Sequence, residues 1–234
     1  MSDHTTSRRV WGLVPAGGSG LRFGGSRPKQ LLEVRGKPLL TWTLERLLAA
    51  GVEGLTVALP GDWMESVANL HPDGARVVWV TGGAHRQASV AACLAAAPQD
   101  VELVLVHDGA RPAVAVADIV ATIEAVGEDD GAVLGRPVVD TLKRVRSGRI
   151  EATVDRSSLF RVETPQVFLR PVLARALRRA EREGFLGTDE ASLVERLGEP
   201  RVNVAVASHP NPKLTRPQDL SWVDLLLAGS GEPV

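Results

Sequence analysis

Short, almost wholly apolar runs recur along this chain, with segments of helical period between them. The runs at Val10–Ala16, Leu55–Leu59, Arg76–Thr81, Leu103–His107, Gly131–Arg136 and Val202–Ala205 read as strands. Helical patterns lie near Leu39–Ala50, Trp63–Leu70, His85–Ala97, Ala117–Val126, Val172–Glu183, Glu190–Leu197 and Pro217–Leu227. A strand buried on both faces loses the polar alternation of a half-exposed one, and parallel neighbours need a crossover between them. The alternation therefore predicts an α/β fold, a mostly parallel twisted sheet flanked by helices. In the segment 172–183, Val172, Leu173, Ala176, Leu177 and Ala180 share one face, with Arg178, Arg179, Arg182 and Glu183 opposite. The last helix is expected to open on Thr215-Arg216-Pro217-Gln218, a capping box with proline in the first turn.

One stretch departs from the alternation. Between residues 138 and 156, two β-like arms flank Ser147-Gly148, which predicts a hairpin. A two-stranded hairpin is marginal alone, so it is expected to pack on a second subunit; a surface excursion on a monomer is the alternative. The 234 residues suit one domain. We expect it to span 9–229, with 137–157 as the arm, 1–8 a disordered tail and 230–234 a C-terminal tail. A net charge of −1 with 24% charged residues excludes a strongly basic nucleic-acid binder. Cys93, the one cysteine, excludes a disulfide framework and reads as a small buried hydrophobe. No apolar run is long enough to span a membrane. Arg8-Arg9 resembles a twin-arginine export signal, but the apolar run after it is short and runs into glycines. A cytoplasmic protein is therefore expected.

Directly after the first strand stands Pro15-Ala16-Gly17-Gly18-Ser19-Gly20-Leu21-Arg22-Phe23. Glycines let backbone N–H groups approach and surround a phosphate or a base edge. The dinucleotide fingerprint would need glycine where Phe23 stands, and a Walker A loop would need Gly-Lys-Ser/Thr. Neither fits. What remains is a glycine loop, Arg22, and Lys29 fixed behind Pro28, an arrangement suited to a polyphosphate. Of 27 cationic side chains only four are lysine: Lys29, Lys37, Lys143 and Lys213. Lys37 and Lys143 read as solvated charges.

Gly82-Gly83-Ala84-His85-Arg86-Gln87-Ala88-Ser89 follows a strand and opens a helix, an anion site by geometry, although Ser89 also reads as a cap. His107-Asp108-Gly109-Ala110-Arg111 ends an apolar run. Asp108 is placed there to hold Mg²⁺, or else to bond its own turn. His107 reads as structural rather than as a general base. Thr164-Pro165-Gln166 reads as a turn and Thr188-Asp189-Glu190 as a helix cap. Asn211-Pro212-Lys213 puts a second lysine beyond a strand end.

With these residues assembled, the chain resembles the 2-C-methyl-D-erythritol 4-phosphate cytidylyltransferases of the non-mevalonate isoprenoid pathway. The likeness runs from about Val10 to Leu227, through PAGGSGLRF, RPKQ, GGAHRQASV, HDGARP, DTLKR, Asp155-Arg156, TPQVF, TDEASLVE and NPKLTRPQDL. It implies a Rossmann-like nucleotidyltransferase fold that forms a homodimer through the hairpin arm. It implies CTP held by Ala16, Gly17, Gly18 and Gly20, with Gly83 and Ser89 selecting cytosine. Arg22 and Lys29 would stabilise charge on the triphosphate. Asp108 would lie at the Mg²⁺–phosphate centre, with Arg111 nearby. Thr141 and Arg156, on or beside the arm, would reach the polyol phosphate of the neighbouring subunit. Thr164, Thr188 and Lys213 would surround the same substrate. Arg22, Lys29, Arg156 and Lys213 are the expected catalytic set. Ala84 stands where the family often has an acidic residue. Pro212 stands where a β-branched one is usual, and it removes a backbone N–H just before Lys213.

The resemblance implies in-line attack of methylerythritol phosphate on the α-phosphorus of CTP, with pyrophosphate leaving. A cytidylyltransferase for another polyol phosphate, such as ribitol 5-phosphate, shares the CTP half of this pattern. A nucleotide-dependent oxidoreductase is disfavoured at Phe23. A non-catalytic CTP-binding module would not need both Lys29 and Lys213.

Overall fold

The run after Arg9 forms strand β1 (Val10–Pro15), every residue of it buried. Its side chains divide between two cores as the pleat requires: Trp11 and Leu13 point to one face, Val10 and Val14 to the other. The computed structural model describes residues 8–17, 29–67, 70, 72–198 and 200–229. Gly18, Gly20 and Arg22 of the glycine loop lie outside them, as do residues 1–7 and 230–234 of the expected tails. Arg8, assigned to the tail, pairs with Glu102 at 2.8 Å.

A short hairpin of β2 (Glu33–Val34) and β3 (Lys37–Pro38) leads into α1 (Leu39–Ala49). Then come β4 (Leu55–Leu59), β5 (Val77–Thr81), α2 (Arg86–Ala96), β6 (Leu103–Val106), α3 (Val116–Glu124) and β7 (Gly131–Pro137). After a hairpin of β8 (Leu142–Arg146) and β9 (Arg149–Val154) follow β10 (Phe160–Leu169), α4 (Arg170–Glu183), α5 (Glu190–Glu195), β11 (Val202–Val206) and α6 (Asp219–Gly229). Seven strands form one sheet in the order β11-β7-β10-β6-β1-β4-β5. All neighbours run parallel except β10, which is antiparallel to both β6 and β7.

Helices α2, α4 and α5 pack on one face of this sheet, around Trp11, Val104 and Phe168. Helices α1 and α3 cover the other, around Val14, Val57 and Leu105. A smaller core at one end holds Leu39, Ala110, Leu214, Val223 and Leu227, seating α6. Helix α4 stops at Gly184, whose φ of 61° makes the left-handed C-cap.

The structure corrects the sequence reading in several places. Strand β10 is the main addition. Its run carries Pro165, Arg161 and Glu163, and proline in a sheet is confined to edges and bulges. The register on β7 does shift between Val162 and Gln166, and the cis Thr164–Pro165 peptide lies in that irregularity. Where a helix over 63–70 is expected, the described residues form two single 3-10 turns at Gly61–Trp63 and Glu65–Val67, the first directly after Pro60; residues 68 and 69 lie outside the described ones. The last helix starts at Asp219, not 217. Asp219 takes the N–H groups of Thr215 and Arg216, at 2.8 Å each, so it replaces Gln218 as the anchor of that turn. Lys37 is not simply solvated. It pairs with Glu45 at 2.8 Å and lies 4.2 Å from the centre of the Trp42 ring.

The hairpin between β7 and β10 is as expected, turning through Ser147 at φ 49° and Gly148 at φ 77°. Positive φ at both central residues matches the twist of the flanking strands. Val145 and Ile150 are 55% and 67% exposed on it, and β8 and β9 hydrogen-bond only to each other in the sheet ladder.

Gly131 pairs with Phe168 across β7 and β10. A Cβ there would stand 2.3 Å from the Phe168 ring and 2.7 Å from the Val167 carbonyl oxygen. Backbone cannot yield as a side chain can, so Gly131→Ala is expected to cost about 1–3 kcal/mol in urea unfolding.

Candidate active site

The strand order reverses beside β1. The chain goes to β4 and β5 on one side, then returns to β6 on the other. Ligands of open α/β sheets lie beyond the carboxyl ends of strands at such a reversal. The ends here are Ala16-Gly17 after β1, Gly82-Gly83 after β5 and His107-Asp108 after β6.

At the first two ends small residues line the turns. Ala16 is fully buried, and a Cβ on Gly17 would meet nothing nearer than Ser89 Oγ at 3.5 Å. A Cβ on Gly83 would lie 2.4 Å from the Ala88 Cβ, so only glycine fits against the start of α2. The Gly83 N–H donates to Ser89 Oγ at 3.2 Å, and the Ser89 hydroxyl donates to the His85 carbonyl at 3.2 Å. His85 Nδ1 in turn accepts the Ala88 N–H, capping α2. Both expected roles of the serine meet here: Ser89 organises the turn and borders the crevice.

Asp108 is the electrostatic centre. It is 6% exposed, and its Oδ1 accepts from Arg86 Nε at 2.8 Å. Its Oδ2 pairs with Lys213 Nζ at 2.8 Å and lies 3.5 Å from Arg111 Nε. Burial alone would push this carboxyl up; the charges of Arg86 and Lys213 outweigh it and hold the group well below the usual carboxylate range. Arg86 also donates through Nη1 to both oxygens of Glu190, at 2.7 and 2.9 Å. Glu190 is 1% exposed, and burial raises its carboxyl against the pull of Arg86. Beyond Arg111, buried Glu163 draws in Arg136 at 3.4 Å and Arg161 at 3.5 Å. Five cations thus face three carboxylates, a local positive surplus inside a near-neutral chain.

Thr164 is buried, and its Oγ1 accepts the Asp108 N–H at 3.1 Å beside His107 Nδ1 at 3.2 Å. Burial pushes the His107 imidazole down to about 4, so it is neutral at pH 7 and acts as a strut between Thr164 and the Arg111 carbonyl. Thr188 is exposed, one residue before Asp189, the N-cap of α5. Thr141 and Arg156 are exposed at the base of the arm, and neither joins the hydrogen bonds and ion pairs around Asp108. Cys93 is buried in the core, its thiol pushed up to about 12 by burial.

Lys213 reaches this centre from the other end of the chain, on a loop tied down at several points. Asp118, 2% exposed in α3, accepts the N–H groups of Ser208 and His209 at 2.9 and 3.1 Å. Asn211 Nδ2 donates to the Thr164 carbonyl at 2.7 Å, and Arg111 Nη1 donates to the Asn211 carbonyl at 2.6 Å. Pro212 lies in this loop, past the end of β11 at Val206, so no ladder bond is lost by its missing N–H. Lys29, at the start of a 3-10 turn, donates from Nζ to the carbonyl of Leu214. One of the two lysines singled out by their rarity thus bonds the backbone of the residue next to the other.

Arg86, Glu190, Glu163, Arg136 and Asn211 were not candidates in the sequence. Arg86 did carry a signal. A cation in the first turn of a helix opposes the helix dipole, so it needs a partner to justify it. For the others the sequence offers no mark that separates them from ordinary surface charges.

Among the described residues no three His, Cys, Asp or Glu side chains gather to cage a metal. A lone carboxylate is nevertheless a suitable donor for Mg²⁺, which commonly takes one or two carboxylates with the remaining ligands from substrate phosphates and water. Asp108 fits that mode. Buried atoms beside it, Arg111 Nε, Arg136 Nη2 and Asn211 Oδ1, have no hydrogen-bond partner within the described chain, as suits a site completed by a polar ligand.

The sequence profile of the 2-C-methyl-D-erythritol 4-phosphate cytidylyltransferases matches residues 10–228. The protein of that name from Symbiobacterium thermophilum is 43% identical over 92% of this chain and 91% of its own. The one from Bacillus pumilus is 40% identical over 89% of this chain and 92% of its own. The crystal structure of the Thermus thermophilus 2-C-methyl-D-erythritol 4-phosphate cytidylyltransferase is similar at a TM-score of 0.78 and 36% identity, covering 94% of this chain and 99% of that one. A 4-diphosphocytidyl-2C-methyl-D-erythritol synthase from Anaerococcus prevotii has a TM-score of 0.83 at 23% identity, over 94% of this chain and 99% of its own, a likeness of fold.

Asp118 gives a test of how the Lys213 loop is held. Asp118→Ala removes the buried acceptor shared by the N–H groups of Ser208 and His209, with an expected loss of about 1–3 kcal/mol in chemical denaturation. Limited proteolysis should then cut between 208 and 213 faster than in the unaltered protein.

Proposed function

Since the chain belongs to the 2-C-methyl-D-erythritol 4-phosphate cytidylyltransferase family, we propose that the crevice around Asp108 is where it carries out that family's reaction. The enzyme joins CTP to 2-C-methyl-D-erythritol 4-phosphate, giving 4-diphosphocytidyl-2-C-methyl-D-erythritol and pyrophosphate in the isoprenoid pathway. The turn at Ala16-Gly17, with Gly18 and Gly20 after it, holds CTP, and the Gly83–Ser89 turn contacts the base. A phosphate oxygen of the methylerythritol phosphate attacks the α-phosphorus in line; the bond to the bridging oxygen breaks and pyrophosphate leaves. The attacking oxygen is already anionic at pH 7, so no general base is required, which agrees with a His107 held neutral by burial.

Catalysis then consists of bringing two polyanions together and neutralising the charge that builds on the α-phosphoryl oxygens and leaving group. Lys29, Lys213 and Arg22 supply point charges toward the triphosphate, and Arg111 does so toward the second phosphate. Thr164 and Thr188 border that second phosphate's pocket. Asp108 holds Mg²⁺, which when bound neutralises phosphate charge. The observation that carries this assignment is that Lys213 pairs with Asp108 while Lys29 bonds the backbone of the next residue, Leu214.

Two surfaces support a homodimer built on the arm. Val145 and Ile150 leave the hairpin apolar and open. Beside its base, Phe160, Val162, Val204 and Val206 are 38%, 40%, 43% and 59% exposed along β10 and β11. In a dimer joined there, Thr141 and Arg156 serve the neighbouring subunit's polyol phosphate. No helix among the described residues is long and apolar enough to cross a membrane.

Lys29→Ala and Lys213→Ala should each fold normally and lose roughly 10²–10³ in turnover, the usual cost of one transition-state charge contact. Pyrophosphate release from CTP and methylerythritol phosphate measures it, and near-normal turnover by either variant removes that lysine from the site. Arg156→Ala mixed with Lys29→Ala should regain about a quarter of normal activity, because a random twofold exchange yields hybrids in half the dimers with one intact site each. Confirmed subunit exchange without recovery would show that Arg156 serves its own chain.

A further inference from the structure

Three cations surround Asp108, and they are held very differently. Lys213 is 38% exposed in its side chain, and its one ion-pair partner among the described residues is Asp108. Arg111 is anchored by the Asn211 carbonyl at 2.6 Å and only approaches Oδ2, at 3.5 Å. Arg86 is fixed at both ends. Its Nε meets Asp108 Oδ1 at 2.8 Å, while Nη1 meets both oxygens of Glu190 at 2.7 and 2.9 Å. Glu190 is itself immobile, 1% exposed in the first turn of the capped helix α5.

We propose that Arg86 is a positioning residue for nucleotidyl transfer: braced by Glu190, it pins the Oδ1 edge of Asp108 and leaves Oδ2 as the oxygen that exchanges Lys213 for a divalent cation. This rests on the reading of Asp108 as the metal ligand. The chemistry favours such a division. An arginine fork bonds two carboxylates in fixed directions, whereas a lysine is a mobile point charge on a flexible stem. Releasing Lys213 from Oδ2 frees its charge for phosphate at the same moment as it frees the oxygen. Without Arg86 the carboxylate would turn about its own bond, and both oxygens would compete for Lys213 and Arg111. Glu190 thereby acts on the site from the far side of Arg86 without touching substrate. Residues that orient a metal ligand in this way commonly change metal affinity or activity by 10- to 100-fold when removed.

The test must avoid an orphaned buried charge, so the main variant is the double Arg86→Gln/Glu190→Gln, which neutralises both partners and keeps two amides in contact. CTP binding to the full-length protein is measured by calorimetry in EDTA and again in MgCl₂. The wild-type gain in CTP affinity on adding Mg²⁺ is the readout, because loss of packing alone would lower both affinities together. The double variant should keep its metal-free affinity and lose about tenfold or more of the Mg²⁺-dependent gain, with turnover falling in parallel at saturating CTP. A folded double variant with the full Mg²⁺-dependent gain overturns the proposal. Should it fail to fold, Arg86→Lys decides, since lysine keeps the charge but cannot fork: a reduced gain supports the proposal and an unchanged gain overturns it. Asp108→Asn separates the two layers. If it too keeps the full gain, the metal assignment of Asp108 fails; if it loses the gain while the Arg86 variants keep it, only the positioning role falls.

Discussion

A carboxylate buried among cations organises this molecule. Desolvating Asp108 alone would be prohibitive, and one partner removed from a buried ion pair leaves a charge that the fold cannot easily tolerate. Its three cationic neighbours come from separate parts of the chain: Arg86 from the start of α2, Arg111 from the loop after β6, Lys213 from the loop after β11. Together they offset the cost of burying its charge. The sheet supplies the platform, because the reversal of strand order beside β1 opens a crevice into which all three elements end.

The surrounding structure is largely devoted to holding these ends. Thr164 fixes the Asp108 backbone, His107 braces Thr164, and Asp118 with Asn211 ties down the loop that carries Lys213. The odd strand β10 makes sense in this setting. Running against its neighbours, it brings Thr164 and Glu163 to the same edge of the sheet at which the parallel strands terminate. A parallel strand in that place would present its carboxyl end there instead.

Much of this is legible in the sequence because local patterns and global fold agree. The apolar runs gave β1, β4, β6 and β7 their places, and Ser147-Gly148 marked the hairpin turn. Strand β10 escaped since Pro165 and its charged neighbours mimic a turn, and only tertiary pairing with β6 and β7 overrides that preference. The site divides likewise. Lys29, Asp108 and Lys213 announce themselves by rarity and by position after a strand. Glu190 does not, and Arg86 does so only as a cation in the first turn of a helix, because their partnership spans 104 residues and no local pattern encodes such a distance.

The contact between Lys29 and the carbonyl of Leu214 spans 185 residues of chain. It ties a residue near the beginning of the fold to one near its close. During synthesis the first strand and Lys29 are made early, and this contact forms only once residue 214 has emerged and docked. The crevice around Asp108, reached by the loop after β11, is thus among the last parts of the fold to be completed.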